Sequence, residues 1–345
     1  MIRSYTPKDS FAYQAFLDSF QGDYLFYAQR IYIDSILKTI TCLEQTLIYE
    51  ENGEIKGVLP LLSKEGSLGR VYNSLPFYGS HGGVIANTAE IAQILYDHVL
   101  SPSFGGGDKA LVMVSENPFL PIGPMINFSK DLIIEDRIIQ VTPLDILSNE
   151  PNQEDLMSLF HYKTRNMVRK SLKVDFKLIE SEDLFEPMYK LHVQNMKAIG
   201  GTVKPLSFYN SIRENYEFGF EYKLIGAEYN GELAGVLLLF YHNGVVDYHT
   251  PTINVEYRNL QPNSFLIFQS MLDAVRNGHK SWNWGGTWKT QESLYRFKNR
   301  WGANDLNYRY LVQVVNEEIL KSSPSTLLKE YPFFFTVPFY MLTAK

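Results

Sequence analysis

An Asn-Gly turn between strand-like segments occurs twice in this chain, and it limits the possible folds more than any other feature. The copies run from Asn52 to Leu61 and from Asn230 to Leu239, and Asn-Gly-Glu, an aliphatic residue and Gly-Val-Leu recur in the same order. Asn-Gly is the strongest short signal for a β-hairpin, because a type I′ turn needs positive φ at both central residues. The shared residues beyond the turn indicate a duplication. We therefore predict two similar domains.

Composition narrows the class of protein. The 345 residues suit two domains, and a hydrophobic content of 45% can supply two cores. The formal net charge of -6 gives no overall attraction to nucleic acid or to an anionic membrane, although a local basic patch is compatible with it. The single cysteine, Cys42, allows no intrachain disulfide and fits a reducing compartment. With no apolar leader and no stretch of membrane-spanning length, we expect a cytoplasmic protein.

The order of the predicted elements indicates an α/β (α+β) protein with two tandem domains. Each domain is expected to be a mixed, mostly antiparallel sheet flanked by helices. A polar segment with two prolines marks the boundary. The predicted parts are residues 1–148, residues 149–316 and a tail, residues 317–345. The tail carries an aromatic run, residues 331–340, that is too short to span a bilayer. We expect it to pack on the first domain; peripheral contact with a membrane surface is the alternative.

A basic segment lies early in the second domain. Arg165, Arg169 and Lys173 are spaced four residues apart within residues 152–173, which are predicted to be helical. At that spacing the three side chains share one helix face, where like charges repel unless an anion is bound. The pattern favours a phosphate or carboxylate site as much as it favours an ordinary solvated face.

Two later segments carry further candidates. Arg258 precedes a largely apolar helix, which we predict to begin at a cap at Asn263 or Ser264 and to stop at Gly278. The N-terminus of a helix suits an anion, although an ordinary capped loop is the alternative. An aromatic strand, residues 281–284, is predicted to end in a Gly-Gly turn with accessible backbone amides.

Taken in order, these segments resemble the FemAB family, the peptidoglycan bridge-forming aminoacyltransferases, and the related GNAT-type acetyltransferase domains. The resemblance covers residues 165–302 and rests on the basic helix, the Asn-Gly-Glu hairpin, Pro262 before the apolar helix, and Phe297-Lys298-Asn299-Arg300-Trp301-Gly302. Residues 74–85 of the first half are similar more loosely. The resemblance implies two GNAT-like domains and the transfer of an acyl or aminoacyl group to an amine.

The resemblance also implies the site. The donor would be acyl-CoA (acetyl-CoA) or an aminoacyl-tRNA, bound by the second domain, and no metal is expected. Lys298 would stabilise the developing oxyanion or a phosphate. The residues that we assign to donor binding are Arg165, Arg169, Arg258, Asn263, Gly285, Gly286 and Phe297.

The proton acceptor is less evident. The family places an Asp after the first-domain strand, whereas Gly83–Asn87 here contains no carboxylate. His81, just before that segment, is a candidate base or acceptor contact, and a turn histidine is the alternative. The missing Asp also fits a third possibility, a non-catalytic binding protein that has kept the fold.

Two catalytic hypotheses remain open. One is an acyl-CoA-dependent N-acyltransferase acting on a sugar amine, a lipid precursor or an amino acid. The other is a FemX-like ligase that uses aminoacyl-tRNA and a cell-wall precursor. The acidic net charge favours the first, whereas neither hairpin is followed by a Gly-x-Gly phosphate loop, which argues for the second. The acceptor would be a small-molecule or lipid-linked amine, and no stable protein partner is implied.

Overall fold

The structure, a computed structural model, divides into two units. The first comprises Met1–Ile138 and Asn307–Lys345, and the second comprises Ile139–Leu306. The residues that the structure describes are 1–74, 82–119, 132–148, 151–288 and 291–344. The division precedes the predicted boundary after residue 148, because Leu144 and Leu147 pack in the core of the second unit.

The helices and strands are numbered in chain order. Those that begin in the first part of the chain are β1 (Ile2–Ser4), α1 (Ser10–Ser19), α2 (Arg30–Thr39), β2 (Leu43–Glu44), β3 (Leu47–Glu51), β4 (Glu54–Leu59), β5 (Leu62–Gly66), β6 (Gly69–Asn73), β7 (Ile85–Ala86), α3 (Ala89–Val99), β8 (Lys109–Ser115) and β9 (Ile133–Pro143). Those that follow are α4 (Gln153–Ser158), α5 (Tyr162–Ser171), β10 (Lys177–Glu180), α6 (Phe185–Ala198), α7 (Leu206–Asn215), β11 (Tyr222–Tyr229), β12 (Glu232–His242), β13 (Val245–Ile253), α8 (Pro262–Arg276), β14 (Ser281–Thr287), α9 (Glu292–Asn299), β15 (Asn304–Val314), α10 (Glu318–Lys321) and α11 (Pro324–Glu330).

Each unit has a mostly antiparallel sheet, as predicted. In the second unit the strand order is β10-β11-β12-β13-β14, and only the last pair is parallel. In the first unit β1-β3-β4-β7 forms one sheet, and β15-β8-β6-β5-β2 are neighbours in another. There the parallel pair is β6 with β8. A crossover that contains a helix, α3 or α8, joins the parallel strands in each unit, as parallel pairing requires.

The two Asn-Gly hairpins, β3–β4 and β11–β12, share details that confirm the repeat. Asn52 and Asn230 have φ values of 53° and 52°, and the glycines that follow them are also left-handed. Both hairpins carry a bulge four residues after the Asn, at Lys56 and at Ala234. A bulge at one fixed place bends both strands alike. The duplication therefore extends to the backbone conformation of the hairpin.

Two predicted helices differ from the expectation. The segment 152–173 is split into α4 and α5, because the chain around Gly302 crosses the break, where the Arg300 carbonyl accepts the His161 amide at 2.9 Å. The apolar helix α8 begins at Pro262, with Gln261 as its N-cap, so the predicted cap at Asn263 or Ser264 is wrong. Proline is favoured at the first helical position because its missing N–H needs no partner there.

The helix α8 forms the centre of the second core. Leu266, Ile267 and Phe268 are fully buried, and Gly278 ends the helix with a φ of 76°, as predicted. Among the described residues no helix is both long and apolar enough to cross a membrane.

Candidate active site

The sheet of the second unit opens between β13 and β14. The parallel pairing covers Val245–Asp247 on β13 and Ser281–Asn283 on β14. Beyond these residues β13 continues along β12 as far as Ile253, while β14 continues to Thr287. The strands thus separate toward their carboxyl ends, the edge at which open sheets with parallel strands bind ligands.

A buried polar pair lies where the strands separate. The Asn283 side-chain amide donates to Asp247 Oδ1 at 2.8 Å, and the Gly285 amide donates to Asn283 Oδ1 at 2.9 Å. Asp247 and Asn283 are both buried. Satisfied buried polar contacts of this kind hold neighbouring strands in one geometry, so this pair fixes the point at which the sheet opens.

Lys298, predicted to be catalytic, lies at the end of β14. It projects from α9 and is 4% exposed. Its ammonium donates to the carbonyl oxygens of Gly285 and Gly286 at 3.1 and 3.0 Å and to Thr287 Oγ1 at 2.8 Å. These contacts match the three N–H donors of an ammonium group. Burial lowers the pKa of Lys298 to about 7, because desolvation disfavours the charged form.

The predicted Gly-Gly turn is wrong. Gly285 and Gly286 lie within β14, which runs on to Thr287. Gly285 has a left-handed φ of 73°, and this conformation allows the consecutive carbonyls to converge on Lys298. Their carbonyl groups therefore bind a cation, whereas the prediction expected their amides to face an anion.

The contacts of Lys298 continue to β9. Thr287 Oγ1 donates to Gln140 Oε1 at 3.2 Å, and Gln140 Nε2 donates to the Tyr295 carbonyl at 3.3 Å. Gln140 and Thr287 are buried. These contacts connect β9, β14 and α9, so a substitution of Lys298 would disturb the hydrogen bonding of all three elements.

The aromatic side chains of this segment pack together below Lys298. Phe297 and Trp301 lie with ring centroids 5.9 and 5.8 Å from that of Trp284, whose Nε1 donates to Thr142 Oγ1 at 2.9 Å. Trp284 and Trp301 are buried, and Phe297 is partly buried against the same cluster. The assigned residue Phe297 thus supports α9 from the core side.

The basic residues of α5 are held in different ways. Arg165 Nη1 donates to the Phe160 carbonyl at 2.6 Å, whereas Arg169 forms a largely exposed ion pair with Glu154 at 2.8 Å. Lys170 Nζ donates to the Asn259 carbonyl at 2.9 Å. Lys170 therefore ties α5 to the segment that precedes α8.

Two of the other assigned residues lie in that segment and in the first turn of α8. Arg258 is exposed in the short 3₁₀ helix Val255–Leu260. The Asn263 side chain exchanges hydrogen bonds with the Tyr248 hydroxyl at 3.1 and 3.3 Å, which joins α8 to β13. His81, the catalytic candidate from the first half of the chain, lies outside the described residues.

Three basic residues that the sequence analysis did not select meet beside β13. The pairing Leu238↔Thr250 is followed by Leu239↔Tyr248, so His249 is the extra residue of a bulge. Lys204 Nζ lies 3.2 Å from His249 Nε2, and the Lys204 amide donates to His192 Nε2 at 3.3 Å. Bulges redirect side chains and are frequent beside active sites. No spacing in the sequence connects residues that come from α6, from the α6–α7 connection and from a strand.

Burial changes the proton affinity of this cluster. The pKa of Lys204 falls to about 8 through burial. The pKa of His192 falls to about 4 through burial and the nearby Lys204 charge, and that of His249 falls well below its usual range for the same reasons. At neutral pH both imidazoles are therefore neutral acceptors, while Lys204 is mostly protonated.

The first unit contains a shallow hollow that is partly open to solvent. Its walls come from the α1–α2 connection, from the end of β4 and from the residues around β7. The lining residues are Tyr24, Leu25, Tyr27, Ala28, Pro60, Ser74, Gly82, Gly83, Ile85 and Asn117. Within the described ranges, no group of three His, Cys, Asp or Glu side chains is arranged to hold a metal ion.

The comparisons with known proteins bear on the second unit and on the fold. Residues 160–299 match the family model of the acetyltransferase (GNAT) domain. No curated protein matches the chain at the level of sequence.

Several solved structures share the fold. FemX is 15% identical with a TM-score of 0.66, over 92% of this chain and 98% of that one. The C-terminal domain of a putative lysylphosphatidylglycerol synthetase from Agrobacterium fabrum is 11% identical with a TM-score of 0.59, over 96% and 98%. A tandem GNAT protein from the clavulanic acid biosynthesis pathway is 11% identical with a TM-score of 0.53, over 90% and 97%. Residues 160–299 therefore contain an acetyltransferase (GNAT) domain, and the chain as a whole shares the fold of FemX and of a tandem GNAT protein.

Proposed function

We propose that the second unit transfers an acyl or aminoacyl group from a carrier to the amine of a small-molecule or lipid-linked acceptor. The observation that carries the proposal is the separation of β13 and β14 beside a buried Lys298. A reacting carbonyl in this opening would lie at the carboxyl end of the parallel pair.

The reaction needs a place for negative charge. The amine nitrogen forms a bond to the carbonyl carbon, the bond from that carbon to the carrier's sulfur or oxygen breaks, and the amine's proton leaves as the carrier takes one up. The carbonyl oxygen is negative in between. In its protonated form Lys298 supports that charge by position, because its ammonium is fixed by two carbonyls and a hydroxyl at the end of β14. A fixed cation in a desolvated site stabilises an oxyanion without reorganisation.

The carrier's phosphates have a natural place at the start of α8. The side chain of the N-cap Gln261 accepts no hydrogen bond from the backbone N–H groups of the helix, which leaves these groups directed at an anion. The exposed Arg258 precedes this end, and Lys170 is tied to the same segment. The acidic net charge of -6 favours acyl-CoA over tRNA as the donor; Arg165 and Arg169 would contribute at longer range.

An aminoacyl-tRNA donor is the second candidate. It is favoured by the fold shared with FemX over 92% of this chain and by the resemblance of residues 165–302 to the FemAB family. The likeness to a lysylphosphatidylglycerol synthetase domain favours a lipid-linked acceptor. The one cysteine, Cys42, fits a reaction in the cytoplasm.

Calorimetry with acetyl-CoA and with an aminoacyl-tRNA tests the donor site. We expect wild-type protein to bind acetyl-CoA, and Arg258→Ala to weaken that binding by about tenfold, the value of one charge-assisted phosphate contact. Arg276→Ala is the matched control, because Arg276 is exposed at the other end of α8. Binding of aminoacyl-tRNA alone would support the second candidate, and binding of neither donor would overturn the proposal.

A further inference from the structure

Specific hydrogen-bond contacts hold the cluster of His192, Lys204 and His249 together. The Lys204 main chain and side chain contact different imidazoles, through His192 Nε2 and His249 Nε2. His249 Nδ1 lies 2.8 Å from the Thr250 hydroxyl. Because a main-chain N–H can only donate, His192 Nε2 must accept, and this fixes its tautomer. The cluster is therefore held in one arrangement.

Aromatic rings enclose the cluster. The Phe208 ring stacks on His249 with centroids 5.8 Å apart, and Lys204 Nζ lies 5.2 Å from the centroid of the same ring. Tyr209 packs edge-on against His192 at 5.6 Å. Low-polarity walls strengthen the attraction between a cationic group and an anion. An anion that reached Lys204 would therefore be bound more strongly than at an open surface.

The repeat gives a second, independent reason to regard this place as a binding site. The α6–α7 connection, which carries Lys204, precedes the second hairpin as the α1–α2 connection precedes the first. The strand that carries His249 pairs with β12 as β7 pairs with β4, since Gly235↔Ile253 matches Gly57↔Ala86. In the first unit this position is the hollow beside Tyr27, Gly83 and Ile85. The same place in the second unit is lined by the basic cluster.

The cluster also lies on the side of the sheet that faces away from α8. Phe240 packs against His249 at 5.0 Å and pairs with Asp247, whereas Tyr248 faces Asn263 on α8. Asp247 shares the face of His249, and its carboxylate accepts the Asn283 amide. The donor phosphates, if they lie at the start of α8, and the basic cluster therefore occupy opposite sides of β13. An acceptor held at the cluster would approach the opening from the side that the donor leaves free.

We propose that His192, Lys204 and His249 form an acceptor subsite that binds an oxyanion, a carboxylate or a phosphate ester, carried by the amine substrate. The inference rests on the proposed function for its assignment to the acceptor. Lys204 supplies the positive charge that attracts the anion, and the two imidazoles orient the anion. They take up protons as it binds, since a nearby negative charge favours their charged forms.

Titration of the histidine side chains by NMR tests this subsite directly. Inorganic phosphate and acetate are the probes, so that the two kinds of oxyanion are compared in separate arms. We expect saturable shifts of the His192 and His249 imidazole signals, with their pKa values raised, and tighter binding of one probe indicates which anion the acceptor carries. Lys204→Met should weaken binding by about tenfold or more. Lys190→Met is the matched control, because Lys190 is exposed on α6 and paired with Glu186.

The outcomes separate this inference from the proposed function. No saturable shift in the wild-type protein, or equal weakening by Lys204→Met and Lys190→Met, would overturn the subsite. His249→Gln, which keeps a polar side chain, repeats the test if Lys204→Met fails to fold. Acetyl-CoA binding is measured on the same samples: its retention in Lys204→Met supports an acceptor role, and its loss overturns that role. Phosphate or acetate binding to a wild-type protein that binds no donor would contradict the proposed function alone.

Discussion

At the scale of single residues, the Phe-Lys motif in the sequence singled out Lys298 but did not predict its surroundings. Its contacts depend on Gly285 and Gly286 presenting consecutive carbonyls, and this follows from a left-handed φ at Gly285. Glycine permits that conformation without requiring it. Lys204 and His249 could not be paired at all, because only the folded strand with its bulge brings them together.

Burial of Lys298 predicts a dependence of stability on pH. Its pKa of about 7 lies below the ordinary value of 10.5, so between these values the unfolded chain binds a proton that the folded chain does not. The free energy of unfolding should therefore rise with pH there, by up to about 1.4 kcal/mol per pH unit. Lys298→Met should remove this part of the slope.

Urea denaturation followed by tryptophan fluorescence measures this slope. Trp282, Trp284, Trp288 and Trp301 are all the tryptophans of the chain, and all lie in the second unit. Arg296→Met on the same helix is the control, because Arg296 is largely exposed. Parallel pH profiles for wild type and Lys298→Met would show that Lys298 titrates normally.

Alanine substitutions at Gly302 and Gly231 should differ in their cost to stability. Both have left-handed φ values, 78° and 82°, so alanine costs about 1 to 2 kcal/mol at either position from the backbone alone. At Gly302 a Cβ would also lie 2.6 Å from the Leu159 carbonyl oxygen, whereas at Gly231 nothing lies within 4 Å. Gly302→Ala should therefore destabilise the second unit clearly more than Gly231→Ala in urea denaturation. Equal losses of unfolding free energy would mean that the backbone at the α4–α5 break shifts at little cost to make room for the Cβ.

At the scale of elements, short sequence motifs correctly predicted the turns and helix ends that depend only on neighbouring residues. The Asn-Gly turns and the Gly278 stop needed only short-range chemistry, and the structure confirms them. The break between α4 and α5 was missed because its cause, the crossing chain at Gly302, lies far away in sequence. The extension of β14 through Gly285 was missed because glycine is unfavourable in a strand unless a specific contact, here Lys298, uses its freedom.

The repeated hairpins allow a matched comparison of Gly57 and Gly235, which follow the two bulges. A Cβ on Gly235 would lie 2.9 Å from the Thr252 carbonyl oxygen, and a Cβ on Gly57 would lie 2.7 Å from the Ile91 Cγ2 methyl. A carbonyl in a sheet cannot move aside, whereas a side-chain methyl can. Gly235→Ala should therefore increase hydrogen exchange in β11–β12 more than Gly57→Ala does in β3–β4. The reverse order would show that α3 is held more rigidly than β13.

At the scale of the whole molecule, the tandem organisation followed from the repeat and the family resemblance, and the fold shared with FemX and a tandem GNAT protein agrees with it. The unit boundary was less accessible, because the packing of Leu144 in the second core overrides the prolines that suggested a linker. The tail contacts were also beyond sequence reasoning in detail. Asn73 exchanges hydrogen bonds with the Phe335 backbone at 2.9 and 2.7 Å.

Tyr331 should make the tail essential to the first unit. Its side chain is fully buried, and its hydroxyl donates to the Gly69 carbonyl at 2.8 Å. Tyr331→Ala should cost about 3 to 5 kcal/mol and increase hydrogen exchange in β6, while the tryptophan transition of the second unit stays unchanged. Tyr340→Ala, at a position 75% exposed, is the control. If hydrogen exchange in β6 were as slow in Tyr331→Ala as in wild type, the tail would pack on the first unit without stabilising it.

Acyl transfer by the second unit should depend on Lys298. Its most direct test is the release of free thiol from acetyl-CoA with a panel of amines, measured for wild type, Lys298→Met and the control Arg296→Met. We expect amine-dependent thiol release by wild type and Arg296→Met, and a loss of about 100-fold or more in kcat/KM for Lys298→Met. Equal rates for wild type and Lys298→Met would contradict it.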